Sequence, residues 1–92
     1  MDVYAQIAVK IIKQQESIIG PVAIEQAKRV SGIKIDWNSK TVTISGDEAA
    51  AIDKLVNQYK ELFGQISVEV CKEAAGSLVN QLPADGLPDT LK

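Results

Sequence analysis

Residues 32–47, GIKIDWNSKTVTISGD, hold the clearest alternation of apolar and polar residues in this chain. Ile33, Ile35 and Trp37 alternate with Lys34 and Asp36. Val42 and Ile44 alternate with Thr41, Thr43 and Ser45. Two period-2 runs joined by the polar Asn38-Ser39-Lys40 predict a β-hairpin with one apolar face. A lone hairpin is marginal in water, so that face has to be covered. Most of the remaining sequence is helical in pattern. The expected class is therefore α+β, with helices packed on one face of a small antiparallel hairpin.

Residues 3–19 place Tyr4, Ala8, Ile11, Ile12 and Ile19 close to one helical face, with Ile7 and Ile18 flanking it and Asp2, Gln6, Lys10, Lys13 and Ser17 in a polar stripe. Gly20-Pro21 breaks the pattern, because glycine ends helices and proline suits the first turn of the next one. A second helix is predicted from Pro21 to about Ser31, with Val22, Ala23, Ala27 and Val30 inward and Gly32 as its stop. In SGDEAAAIDKLVNQYKELFG, residues 45–64, Ser45 with Glu48 forms a capping-box pattern and Asp47 is the competing N-cap. Ile52, Leu55, Val56, Tyr59, Leu62 and Phe63 predict one buried stripe, closed by Gly64.

Two patterns overlap after Gly64. Val68, Cys71, Ala75, Leu78 and Leu82 recur at helical spacing and predict a helix from about Ser67 to Gln81. Ile66, Val68 and Val70 alternate, so a short third strand at 66–70 is the alternative. The order is α-α-β-β-α-α in one domain, residues 1–81. Residues 82–92 follow as a Pro- and Gly-containing tail, whose Leu82, Leu87 and Leu91 can pack on the domain or on a second copy.

A chain of 92 residues buries only roughly 60–65% of its unfolded surface. Its four aromatic residues leave an aliphatic core. The net charge of −2 gives no global pull towards nucleic acid, but the sign is uneven. Residues 10–40 carry six basic and three acidic side chains, and residues 41–92 carry four basic and eight acidic ones. The single cysteine suits a reducing compartment. The acidic start and the lysines within the first apolar stretch do not read as a signal peptide. No apolar run approaches the ~18 residues of a membrane span, so a cytoplasmic soluble protein is expected.

Catalytic chemistry finds little to work with. The chain has no histidine, the commonest general base and metal ligand. One cysteine and scattered carboxylates give no zinc spacing, and there is no phosphate-binding glycine loop or dinucleotide fingerprint. Cys71, on an apolar helical face, reads as a buried small hydrophobe rather than a nucleophile. No enzymatic activity, metal or cofactor is expected.

Residues 18–63 resemble the central part of a KH domain. IIGPVAIEQAKRVSGIKIDW and TVTISGDEAAAIDKLV are similar to that family's helix, GXXG loop, helix, two-stranded segment and long helix. Gly20 falls at the first loop glycine and Ala23 at the second, with Pro21 and Val22 between them. The resemblance implies a nucleic-acid clamp at Gly20, with Lys28, Arg29 and Lys34 lining a groove. The loop departs from the pattern in lacking one glycine and any charge, and the family's first strand has no counterpart.

The leading expectation is a small non-catalytic protein-interaction module that self-associates through Ile7, Ile11, Trp37, Leu87 and Leu91. The isoleucine-rich first helix and the leucines of the tail suggest a surface for a protein partner or a second copy. The alternative is a divergent KH-like domain that binds RNA or another single-stranded nucleic acid.

Overall fold

The computed structural model describes residues 1–92. Asp2 starts the first helix. Its carboxylate accepts the amide hydrogen of Ala5 at 2.8 Å, and α1 runs over Val3–Ile19. Gly20 ends it in the left-handed region (φ 79), with its N–H donating to the Glu16 carbonyl. Ile7, Ile11 and Ile12 are completely buried. They are covered because α1 is the central element, packing against α2 (Val22–Lys28), β2 (Thr41–Ile44), α3 (Glu48–Phe63) and α4 (Gln65–Ala75). These three isoleucines are thus the core of a four-helix arrangement rather than a surplus.

The hairpin forms as its alternation predicts. β1 (Ile33–Asp36) pairs antiparallel with β2, with Ile33 opposite Ile44 and Ile35 opposite Val42. These four side chains share one face. Ile33 and Val42 are buried there, while Lys34, Asp36, Thr41 and Thr43 face solvent. β1 lies against α2 and β2 against α1. Trp37 falls one residue beyond β1, in the turn, where Lys40 takes φ 55 and its N–H donates to the Trp37 carbonyl at 3.3 Å.

α2 is shorter than its periodicity suggests, ending at Lys28. The chain must swing into β1, and Gly32 makes the turn with φ 85. Ser45 donates its N–H to the Gly32 carbonyl at 2.9 Å. A Cβ at Gly32 would stand only 3.3 Å from the Ser45 carbonyl oxygen, so a side chain there meets both backbone strain and crowding.

α3 is capped by Asp47, whose carboxylate accepts the Ala50 N–H at 3.1 Å; the Ser45 alternative is not the cap. Gly64 separates α3 from α4. The third strand considered at 66–70 does not form, because residues 65–75 are one helix. The helical spacing prevails since it buries Val68, Cys71 and Ala75 on one face. The same face serves both α1 and α3, which pack on α4. α4 stops at Gly76, and residues 76–81 continue as a 3₁₀ turn rather than α-helix.

Residues 82–92 lie on the domain. Tyr4 donates its hydroxyl to the Gly86 carbonyl at 2.7 Å. A Cβ at Gly86 would collide with the Tyr4 hydroxyl, so only glycine permits this approach. The Asp53 carboxylate on α3 accepts the Thr90 N–H at 2.9 Å, the Thr90 hydroxyl at 2.6 Å and the Asp89 N–H at 3.3 Å. Pro88 and Leu91 are buried by this docking.

Candidate interaction surface

The stripes that build the core do not stop where the core stops. On α3, Leu55 and Tyr59 lead by helical spacing to Leu62, and Val56 leads to Phe63. Leu55, Val56 and Tyr59 are fully buried, yet Leu62 is 50% exposed and Phe63 38%. On α1, Ile11 leads to Ile18 one heptad on, and Ile18 is 57% exposed. Ile66, in the first turn of α4, is 73% exposed. The predicted six-residue buried stripe of α3 is therefore corrected to four residues, because the last turn of the helix outruns the elements that cover it.

Hydrogen bonds bring these ends together. Gln15 Nε2 donates to the Ser67 carbonyl at 3.3 Å and contacts Cys71 Sγ at 3.5 Å, fixing the last turns of α1 beside the start of α4. Tyr59 donates its hydroxyl to the Ala23 carbonyl at 2.7 Å, fixing the last turns of α3 beside the start of α2. Ile18 stands two residues before the Gly20 corner, and Leu62, Phe63 and Ile66 flank the Gly64 corner, with α1 and α4 tied near both by Gln15 and Ser67. Scaled by their exposures, the four side chains present roughly 400 Å² of apolar surface. Sequence periodicity assigned Leu62 and Phe63 to the core. The signal available was their place in the last turn before a helix-ending glycine, where cover from neighbouring elements runs out.

The residues expected to form an interaction surface fall elsewhere. Ile7 and Ile11 have no exposed surface and are corrected from interface to core. Leu91 is buried under the tail's own docking and is likewise corrected, and Leu87 is half-buried. Trp37 is half-buried: its indole N–H donates to Glu16 Oε1 at 3.3 Å, and Lys40 Nζ lies 4.5 Å from the ring centroid. The same Lys40 ammonium donates to the Trp37 carbonyl at 2.8 Å. The tryptophan is held by its own hairpin and by α1 rather than presented as a free anchor.

The nucleic-acid positions are also dispersed. Gly20 forms a tight corner with Pro21, in which Ala23 and Ile24 donate their N–H groups to the Gly20 and Pro21 carbonyls. Ala23, at the second loop position, is fully buried. Lys28, Arg29 and Lys34 are exposed, but Arg29 lines a cleft with Lys54 while Lys34 stands on the solvent face of the hairpin.

Burial and close carboxylate pairing shift several titratable groups, Cys71, Glu48 and Asp2 among them. Burial pushes the Cys71 thiol up to about 11, which keeps it protonated at neutral pH. Glu48 is pushed up to about 7, chiefly by sharing a proton with the Asp2 carboxyl, with burial and the Asp2 charge adding to the effect. Asp2 is correspondingly lowered, first by Glu48 and then by the Ala5 N–H. This pair joins the start of α1 to the start of α3.

No helix is long and apolar enough to cross a membrane. No family model matches the chain, and no curated protein and no solved structure matches it either.

Proposed function

We propose that this chain is a non-catalytic interaction module that pairs with a second copy of itself through the apolar end formed by Ile18, Leu62, Phe63 and Ile66. The observation that carries this reading is the exposure of those four side chains, of which Ile18, Leu62 and Phe63 continue core stripes and Ile66 opens the outer side of α4. The largest apolar patch of a typical monomer is of similar size, about 300–600 Å², and is often functional. Lys60, Glu61 and Glu69, close in sequence to Leu62, Phe63 and Ile66, are all exposed and are available as a polar rim. The buried, unpaired Cys71 suits a reducing compartment, and the cytoplasm is the compartment proposed.

Area sets the expected strength. Two copies meeting by this patch would cover roughly 800 Å² of apolar surface, below the ~1,200–2,000 Å² of stable complexes. The dimer is therefore weak and concentration-dependent. Sedimentation equilibrium from micromolar to millimolar protein should show monomer passing into dimer. Ile66→Glu and Phe63→Glu should leave only monomer with an unchanged circular dichroism spectrum. A wild-type protein that stays monomeric to millimolar concentration sinks the reading.

A KH-like nucleic-acid module is the second reading, favoured only by the two cations Arg29 and Lys54 in one cleft. Its clamp would need backbone N–H groups that the Gly20 corner uses internally. Salt-dependent binding of mixed single-stranded oligonucleotides at tens of micromolar would establish it.

A further inference from the structure

A cleft of about 270 Å³ opens between the end of α2 and the outer face of α3. Arg29 and Ser31 line it from the turn after α2. Lys54, Asn57, Gln58 and Glu61 line it from α3, at the spacing that stacks side chains along one helix face. We infer that this cleft binds a phosphomonoester carried on a small polyol, such as a sugar phosphate, with the phosphate held between Arg29 and Lys54.

Charge gives the first argument. The ion pairs of the protein are Lys72 with Glu69 and Lys92 with Asp89. Arg29 and Lys54 belong to neither, so two cations line one concave site with no carboxylate in ion-pair contact with them, and Glu61 leaves the lining at a net +1. Glu61 lines the same cleft unpaired. A phosphomonoester carries about −1.5 to −2 near neutral pH and has three terminal oxygens, enough to meet both cations at once, with Glu61 two turns along α3 from Lys54. Arg29 offers the planar fork that grips phosphate oxygens in pairs, and Lys54 a point charge.

Hydrogen bonds give the second. Lys54 Nζ donates to Ser31 Oγ at 3.4 Å, which leaves the serine hydroxyl its own proton to give to an anion. Gln58 Nε2 donates to Gln26 Oε1 at 2.8 Å, which fixes the amide and leaves its carbonyl oxygen to accept. Asn57 can donate and accept, and Glu61 accepts. Acceptors beside a cationic pair suit hydroxyl groups next to a phosphate.

The walls give the third. Val30 is the one apolar residue lining the cleft, and no aromatic ring lines it. A nucleobase would find nothing to stack on, so the body of the ligand is hydroxylated rather than heterocyclic.

Amide-resolved NMR titrations of the full chain at low salt test this, with glucose 6-phosphate, inorganic phosphate and a uridine oligonucleotide as probes. Glucose 6-phosphate should saturate at millimolar concentration, with shifts confined to residues 28–32 and 54–61. Inorganic phosphate should bind about tenfold more weakly at the same residues. The Arg29→Ala/Lys54→Ala pair should weaken glucose 6-phosphate at least about tenfold, and Asn57→Asp, which adds a like charge without changing shape, should do the same. Lys10→Ala/Lys13→Ala, which removes two cations elsewhere, should change nothing. Shifts that never saturate, or that fall equally in both double variants, would mean diffuse attraction and overturn the site. Tighter binding of the oligonucleotide than of glucose 6-phosphate would overturn the polyol assignment.

Discussion

Tyr59 has no exposed surface, and its hydroxyl donates to the Ala23 carbonyl at 2.7 Å across the α2–α3 contact. Burial holds that phenol protonated well beyond its ordinary range. Tyr59→Phe keeps the ring and loses one buried hydrogen bond, which should cost about 1 kcal/mol in a urea titration. The Asp2–Glu48 pair gives a pH signature. Glu48 is raised in the folded state, so its contribution is full below its unfolded value and is lost as pH rises through about 7. Asp2 is lowered, so its contribution is present above its unfolded value and is lost as pH falls through the folded one. Stability from this pair should therefore peak in mildly acidic solution and decline towards pH 8. Both groups are largely solvated, so the effect is a few degrees in melting temperature. Glu48→Gln can keep the hydrogen bond to Asp2 without titrating, and its melting temperature should lack that decline. Equal slopes for the two proteins between pH 5 and pH 8 would remove the pair from the account. At this scale the sequence was a partial guide. Acidic residues near the start of α3 were legible as helix chemistry, but the meeting of Asp2 with Glu48 depends on tertiary placement no local pattern encodes.

At the scale of elements, the tail is a strap with two fastenings, Tyr4 to Gly86 and Asp53 to Thr90. Asp53→Ala removes the acceptor for Thr90 and Asp89 and should release the last 3₁₀ turn at a cost of about 1–2 kcal/mol. Hydrogen exchange should then speed up at Thr90 and Leu91 while the amides of α1 stay protected. Leu91→Ala should cost about 2–3 kcal/mol by global melting, because it empties a buried site. A change near zero would mean that the tail merely rests on the surface. The helices and hairpin were legible from period and punctuation: Gly20-Pro21, Gly32 and Gly64 each fall at an element boundary. The helical character of residues 65–75 was legible in Val68, Cys71 and Ala75, although Ile66 and Val70 offered a competing alternation. The docking of the tail was not legible, since its anchors are a tyrosine and an aspartate far away in the chain.

At the scale of the whole molecule, α1 sits in the middle and its Ile7, Ile11 and Ile12 are fully covered, while Ile18 at its end is not. Ile7 and Ile11 therefore belong to the core, and only the last turn of this isoleucine-rich helix reaches the surface. Periodicity identifies the face of a helix that is apolar, but it does not say how far along its length neighbours cover it. That is why Leu62 and Phe63 were assigned to the core and why the bare end at Ile18 and Ile66 was missed. The same end is the centre of the functional proposal. It is tested most directly by comparing amide spectra of the wild-type protein at about 20 µM and about 1 mM, a range that brackets a weak interface. Concentration-dependent shifts should cluster at residues 17–22 and 61–70 and vanish in Ile66→Glu. Spectra that do not change with concentration, or changes centred on the hairpin or the tail, would contradict it.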